Sequence, residues 1–236
     1  MLVIVRTTVP LIGFQPYIKH FNLTVVVSYM VIRKLSKTLF KINKRTFIVL
    51  CGLISIGISS YAQEHIYRVE WKGDSVGYMI AKKKVQGPIT NYSIESKSKI
   101  SMILSFEVNS SYKSQYENNR LSNSYCKNIL NQKVKGETSV HFNGSEYLIK
   151  QKDEEDQVVK KRITESIAAL YFNEPKLNEI FSENHGSFCP IKKIEDHTYE
   201  LTKPDKDTTL YYFENGECVH VTAHMGIATI KMIKIN

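Results

Sequence analysis

The chain has 236 residues, of which 42% are hydrophobic, and its 32 Lys+Arg against 23 Asp+Glu give a formal net charge of +9. That composition supports a folded core, and 14 Tyr with 10 Phe exclude a wholly disordered chain. Residues 1–62 hold eight basic residues and no acid, whereas residues 63–236 hold 24 bases and all 23 acids. The nearly neutral body lacks the clustered basic footprint of a nucleic-acid binder, so no nucleic-acid partner is expected.

The first 62 residues read as a leader. Lys34 to Thr46 is basic and acid-free, Phe47 to Ile58 is an apolar run, and Ser60-Tyr61-Ala62 precedes Gln63. These are the basic, apolar and small-residue parts of a secretory signal. The 12-residue run falls short of the ~20 residues needed to span a membrane, so no stable span is expected once the signal is cleaved. Met30 is the natural start of such a signal, making residues 1–29 an over-extended gene start and residues 30–62 the signal peptide. Cys51 follows Leu50 inside the apolar run, which does not suit lipidation. The expected location is the periplasm or the extracellular space. Residues 63–236 read as a single β-rich domain.

From Ile66 the dominant hydrophobic period is two, the signature of strands. Ile66 to Lys72 alternates, Gly73-Asp74-Ser75 turns, and Val76 to Val85 reads as a second strand. Ile89 to Glu95, Ile100 to Val108, Ser111 to Glu117 and Leu121 to Lys127 continue the pattern. Asn143-Gly144 and Asn215-Gly216 sit between alternating runs, a strong hairpin signal because both residue types tolerate positive φ. Asp153-Glu154-Glu155-Asp156 reads as a solvated loop before a strand from Val158 to Ile163. Then Ile167, Leu170 and Tyr171 follow helical spacing, as do Leu177, Ile180 and Phe181, with Pro175 and Gly186 at the two ends of the second helix. The expected fold is mainly β: a curved antiparallel sheet or half-open barrel with one or two short helices covering one side.

Several strings invite chemistry and fail on context. Gly73-Asp74-Ser75-Val76-Gly77 has the spacing of a nucleophile elbow, but a strand follows it where the elbow needs a helix. Cys218, His220 and His224 share strand parity, yet one strand supplies only two well-placed ligands, so no metal site is assigned. No phosphate-binding or dinucleotide-binding glycine motif occurs, and no cofactor is expected. Glu174, Glu183 and His185 flank the short helices and carry the alternative reading, a hydrolase, although simple helix-end roles suffice for them. No catalytic residue is assigned. Cys126, Cys189 and Cys218 remain outside the leader, and Cys189–Cys218 is the candidate disulfide.

The strings Leu170-Tyr171-Phe172-Asn173-Glu174-Pro175, Ile180 to Gly186 and Tyr211 to Gly216, with the early Gly73–Gly77 turn, resemble a family of exported Gram-negative bacterial proteins known only as a domain of unknown function. The resemblance implies an exported β-rich domain and supplies no activity and no site residues. By architecture, curved-sheet periplasmic carriers of lipids or lipoproteins are the analogy. The leading expectation is therefore a non-catalytic binding domain. Its concave face, roofed by the 166–183 helices, would hold an apolar small molecule or a partner's segment through Tyr171, Phe172, Leu177, Phe181, Tyr211 and Phe213. A further alternative is an interaction protein of the cell envelope.

Overall fold

The alternation that begins near the expected cleavage point becomes, in the computed structural model, an antiparallel sheet. The structure describes residues 60–101, 105–226 and 228–236. The expected leader lies outside the described residues except for Ser60, Tyr61 and Ala62, which are exposed and open the first strand. The described residues form 14 strands and one helix of four residues, in the order β1 (Ser60–Trp71), β2 (Asp74–Gln86), β3 (Ile89–Ser101), β4 (Ser105–Glu117), β5 (Arg120–Leu130), β6 (Lys133–Phe142), β7 (Tyr147–Gln151), β8 (Gln157–Val159), α1 (Ile167–Leu170), β9 (Glu179–Ser182), β10 (Ser187–Glu195), β11 (Thr198–Thr202), β12 (Thr208–Glu214), β13 (Glu217–Met225) and β14 (Ala228–Lys234).

Neighbours in sequence are neighbours in the sheet, and β1 also pairs with β14. The spatial order runs β8-β7-β6-β5-β4-β3-β2-β1-β14-β13-β12-β11-β10-β9. This is the order of a meandering barrel left open between β8 and β9. The chain between those two strands bridges the opening. Ile163 O accepts from Leu121 N on β5, and Phe181 N on β9 donates to Glu165 O. Ser166 forms an isolated parallel bridge with Phe181.

Because side chains alternate along each strand, one face of every strand can enter the core while the other stays wet. The inward set includes Tyr67 and Val69 on β1, Met79 and Ala81 on β2, Ile94 on β3, Tyr116 on β4, and Tyr211 and Phe213 on β12, all buried. These pack with Leu170, Tyr171 and Phe172 in one cluster, apart from Tyr116, which joins a second cluster around Leu121, Tyr147, Ile163 and Phe181.

Four sequence expectations change. The second helix does not form: Ile180 and Phe181 lie in β9, paired with Cys189 and Phe188 of β10, and Gly186 serves the turn between those strands. Ile100 to Val108 is not one strand, because Ser101 ends β3 and pairs antiparallel with Ser105, which begins β4. The strand expected over Val158 to Ile163 ends at Val159, and Ile163 turns inward and is fully buried. Asn215 and Gly216 do make the two-residue hairpin turn with φ of 52° and 81°. A bulge beside it nevertheless shifts the register, so Phe213 pairs with Cys218 and Tyr212 with His220, two residues further along β13. That bulge puts Cys218 and His220 out of the common parity a metal pair would need.

Candidate functional site

The inward faces of β2–β5 and β11–β14 do not meet at one end of the curved sheet, leaving a cavity of about 550 Å³. Its walls are largely apolar, with Met79, Ile94, Ile129, Leu201, Ile230 and Met232 among them, and Ile167 and Tyr171 close it from the bridging segment. Exposed Lys135, Asp205 and Met225 line it where it opens to solvent. A volume of this size lies within the range of small-molecule sites, roughly 300–1,000 Å³.

Tyr171 is held in place by its own backbone and ring. Its carbonyl accepts from His65 Nδ1 at 3.0 Å and faces Tyr67 Oη at 3.4 Å; the Tyr67 hydroxyl donates to Cys218 O at 2.7 Å. The His65 ring stacks on Phe172 at 4.8 Å, and Tyr171 packs edge-on to Tyr67 and Tyr211. Burial, followed by the Lys234 charge, lowers the His65 pKa, so the neutral ring with its proton on Nδ1 fits this arrangement. Burial likewise raises the phenol pKa values of Tyr67, Tyr171 and Tyr211.

Of the six residues named from the sequence, Tyr171 and Tyr211 line the cavity. Phe172, Phe181 and Phe213 are buried in the core clusters and line neither cavity described here, and Leu177 is 44% exposed. The residues that line most of the cavity were missed because they sit on strands whose inward positions look like any others. Ser96 and Ser98 alternate with charged Glu95, Lys97 and Lys99, a pattern that marks a strand and not a ligand.

A second cavity of about 320 Å³ adjoins the first. The two share Asn128, Lys135, Asn184 and His185, and the second is otherwise lined by polar side chains of β6, β7 and the loop after it, such as Glu137, Thr138 and Gln151. Asn184 is fixed by Asn128 Nδ2, which donates to its Oδ1 at 2.5 Å, and by Thr138 Oγ1, which donates to its carbonyl at 2.9 Å. Burial lowers the His185 pKa, against the pull of Asp205.

The acid/base trio is dispersed among separate partners. Glu174 accepts from Tyr199 Oη at 2.7 Å and meets His197 Nδ1 at 3.1 Å. Partial burial pushes its carboxyl pKa up, but those two contacts outweigh burial and the net shift is downward. Glu183 is fully buried, and its Oε1 accepts from Ser114 Oγ at 2.9 Å and from Ala168 N at 3.2 Å. Burial raises its pKa, and Glu183 Oε2 is left without a partner, as are the buried Ser166 and Tyr116 hydroxyls. Only His185 of the three lines a cavity, so they do not gather on one reacting atom as general acid–base work requires.

The candidate disulfide is also corrected. Cys126, Cys189 and Cys218 are all free and buried. Cys189 on β10 and Cys218 on β13 are separated by β11 and β12, about 14 Å along the sheet at ~4.8 Å per strand, whereas a disulfide needs Cα atoms within ~7 Å. Ser75 of the elbow-like string is exposed in the β1–β2 hairpin, paired with Glu70, and has no catalytic setting. Among the described residues no helix is long and apolar enough to cross a membrane.

A family model described as Domain of unknown function (DUF6134) matches residues 67–235. No curated protein matches the chain. Among solved structures, the chain is similar to the beta-barrel-like protein of domain of unknown function DUF1849 from Brucella abortus, at 9% identity and a TM-score of 0.49. The alignment covers 76% of this chain and 98% of that one.

Proposed function

The chain belongs to the family described as Domain of unknown function (DUF6134), and we propose that its β domain is an exported, non-catalytic module that holds an apolar small molecule. The observation that carries the reading is the cavity of about 550 Å³, walled mainly by aliphatic and aromatic side chains and open at one end of the sheet. Water gains little from such walls, so an apolar ligand that displaces it is favoured by roughly 25 cal/mol per Å² of apolar surface covered. The leader supports export, because its basic, apolar and small-residue parts follow one another in the order a secretory signal requires. Cleavage after Ala62 would remove only three exposed residues from β1.

The test is expression of the full chain in a Gram-negative host, recovery from the periplasm, and native mass spectrometry. The expected spectrum shows a polypeptide starting at Gln63 with an extractable small-molecule adduct. A protein without adduct that also fails to take up a neutral fluorescent probe such as N-phenyl-1-naphthylamine overturns the binding reading. Among the large exposed apolar side chains, Tyr78 and Ile194 sit on separate strands, β2 and β10, and Leu148 and Val158 face each other across β7 and β8; a pair of that size is ordinary for a protein surface.

A further inference from the structure

We propose that the ligand is a single-chain amphiphile with an anionic head, a carboxylate or a phosphate monoester, whose tail fills the apolar cavity while the head sits where the apolar and polar cavities join. This rests on the binding reading above and names its ligand class. Three observations at the junction carry it.

First, the apolar and polar spaces share a wall. Asn128, Lys135, Asn184 and His185 line both, so a molecule leaving the aliphatic space passes directly into a polar one of about 320 Å³. An all-apolar ligand would leave that polar wall without partners, and an all-polar one would leave the aliphatic walls in water.

Second, Lys135 and Lys203 are uncommitted while several lysines around them are paired. Lys127 faces Glu137, Lys150 faces Asp156 and Lys152 faces Asp153. The ammonium groups of Lys135 and Lys203 have no carboxylate or other hydrogen-bond partner among the described residues, although both line the apolar cavity. Asp205 and Asp207 line the same cavity, and each has one oxygen held by a backbone amide: Asp205 Oδ1 accepts from Asp207 N and Asp207 Oδ1 accepts from Gly226 N, each at 3.0 Å. Glu137 accepts from Tyr125 Oη at 2.6 Å. Glu154 is the unengaged acid, and it lines the polar cavity alone.

Third, the shared amide is turned donor-outward. Asn184 Oδ1 is taken by Asn128 Nδ2 and lies 3.7 Å from Cys126 Sγ, while the amide nitrogen meets His185 Nε2 at 3.5 Å and keeps its second hydrogen for another acceptor. Two ammonium groups without a carboxylate partner and an amide nitrogen suit an anionic acceptor at this place.

The experiment displaces N-phenyl-1-naphthylamine from the purified protein with four probes of equal tail: hexadecanoate, hexadecyl phosphate, hexadecanol and hexadecyltrimethylammonium. The expected result is that at least one anion binds tenfold or more tightly than the alcohol and the ammonium, and the better anion identifies the head. In Lys135→Gln the preference for that anion over the alcohol falls below threefold, whereas in Lys133→Gln, an exposed lysine that lines neither cavity, it stays as in the parent. Equal binding of anion, alcohol and ammonium overturns the head-group assignment while leaving the apolar cavity reading intact. An anion preference equally unaffected by Lys135→Gln and Lys133→Gln also overturns it. A protein that binds neither the dye nor any probe overturns both.

Discussion

The Ser114 hydroxyl on β4 donates a 2.9 Å hydrogen bond to Glu183 Oε1 in the turn after β9, joining residues 69 positions apart. The bond fastens the far end of the sheet order, β9 and β10, against the inward face of β4. Glu183 also holds Ala168 N at the start of α1, so one buried carboxyl ties together β4, the bridging helix and the β9–β10 turn.

The cost of that arrangement depends on pH. Burial raises the Glu183 pKa above its ordinary value of 4.5, so above that pH the unfolded chain releases the proton while the folded protein keeps it. Stability from this group is therefore undiminished at low pH and falls as pH rises from 4.5 through the raised folded value. Glu183→Gln keeps an acceptor for Ser114 and Ala168 but cannot ionise. Urea unfolding is expected to show it close to the parent at pH 4 and more stable than the parent at pH 7. Glu183→Ala orphans both donors, at about 1–3 kcal/mol for each buried group left unsatisfied, and should lose stability at either pH. A Gln variant that loses ground to the parent between pH 4 and pH 7 would refute the sign.

Gly77 marks a second point where two chain segments meet too closely for a side chain. A Cβ there would lie 2.0 Å from Lys97 O and 2.7 Å from Ser98 Cα on β3, and the β1–β2 register shifts immediately opposite, between Val69 and Glu70. Backbone cannot give way as a side chain can. Gly77→Ala is expected to cost roughly 1–3 kcal/mol, the range for forcing extra volume into a packed site. Gly136→Ala on β6, where the nearest atoms are 3.7 Å away, should stay within about 0.5 kcal/mol of the parent. Thermal unfolding of the pair separates a steric cause from a general intolerance of the sheet.

The strands were legible because a period of two survives in β1, β2 and β5 despite their many polar residues, and because Asn215-Gly216 names its own turn. The bulge beside that turn was not, since nothing in Tyr212-Phe213 or Cys218-Val219-His220 announces an unpaired residue. The adjacent apolar pair Ile180-Phe181 fits a helix face and a strand buried on both sides alike, and the nearby Pro175 and Gly186 tipped the reading toward helix. The pair β1–β14 joins residues such as Tyr67 and Lys234, and no local pattern encodes that distance. The candidate site suffered most. Aromatic side chains drew attention as ligand contacts, but Phe172, Phe181 and Phe213 spend their area on core packing. The cavity is lined by inward residues drawn from strands on both sides of the sheet, which only the tertiary arrangement brings together.

The thiols follow from burial. Burial raises the pKa of Cys126 to about 12, of Cys189 to about 11 and of Cys218 to about 12, with all three sulfurs sealed in the core. Thiolate is the reactive form, so both ionisation and access are suppressed in the folded state. Intact-mass analysis after iodoacetamide treatment at pH 8 should show none of the three alkylated in native protein and all three alkylated in denaturant. Oxidation of the native protein should give no Cys189–Cys218 crosslink. Rapid native labelling of any one of them would show that its strand opens without global unfolding.

The last prediction separates the cavity from the aromatic set that first suggested a ligand. Leu177 is 44% exposed and lines neither cavity, so Leu177→Ser should leave the affinity for a neutral apolar dye unchanged. Ala223 on β13 lines the apolar cavity opposite Ile230 of β14. Ala223→Trp adds a ring in the space a ligand would occupy, and filling part of the volume removes contact area that burial rewards at roughly 25 cal/mol per Å². A loss of at least tenfold in dye affinity is expected, about 1.4 kcal/mol. The melting temperature should be measured on the same samples, because a ring accommodated in an open cavity does not force the overpacking that destabilises a filled core. If Ala223→Trp binds the dye as the parent does while Leu177→Ser loses it, the dye sits on the outer surface near residues 173–178 and the cavity is not its site.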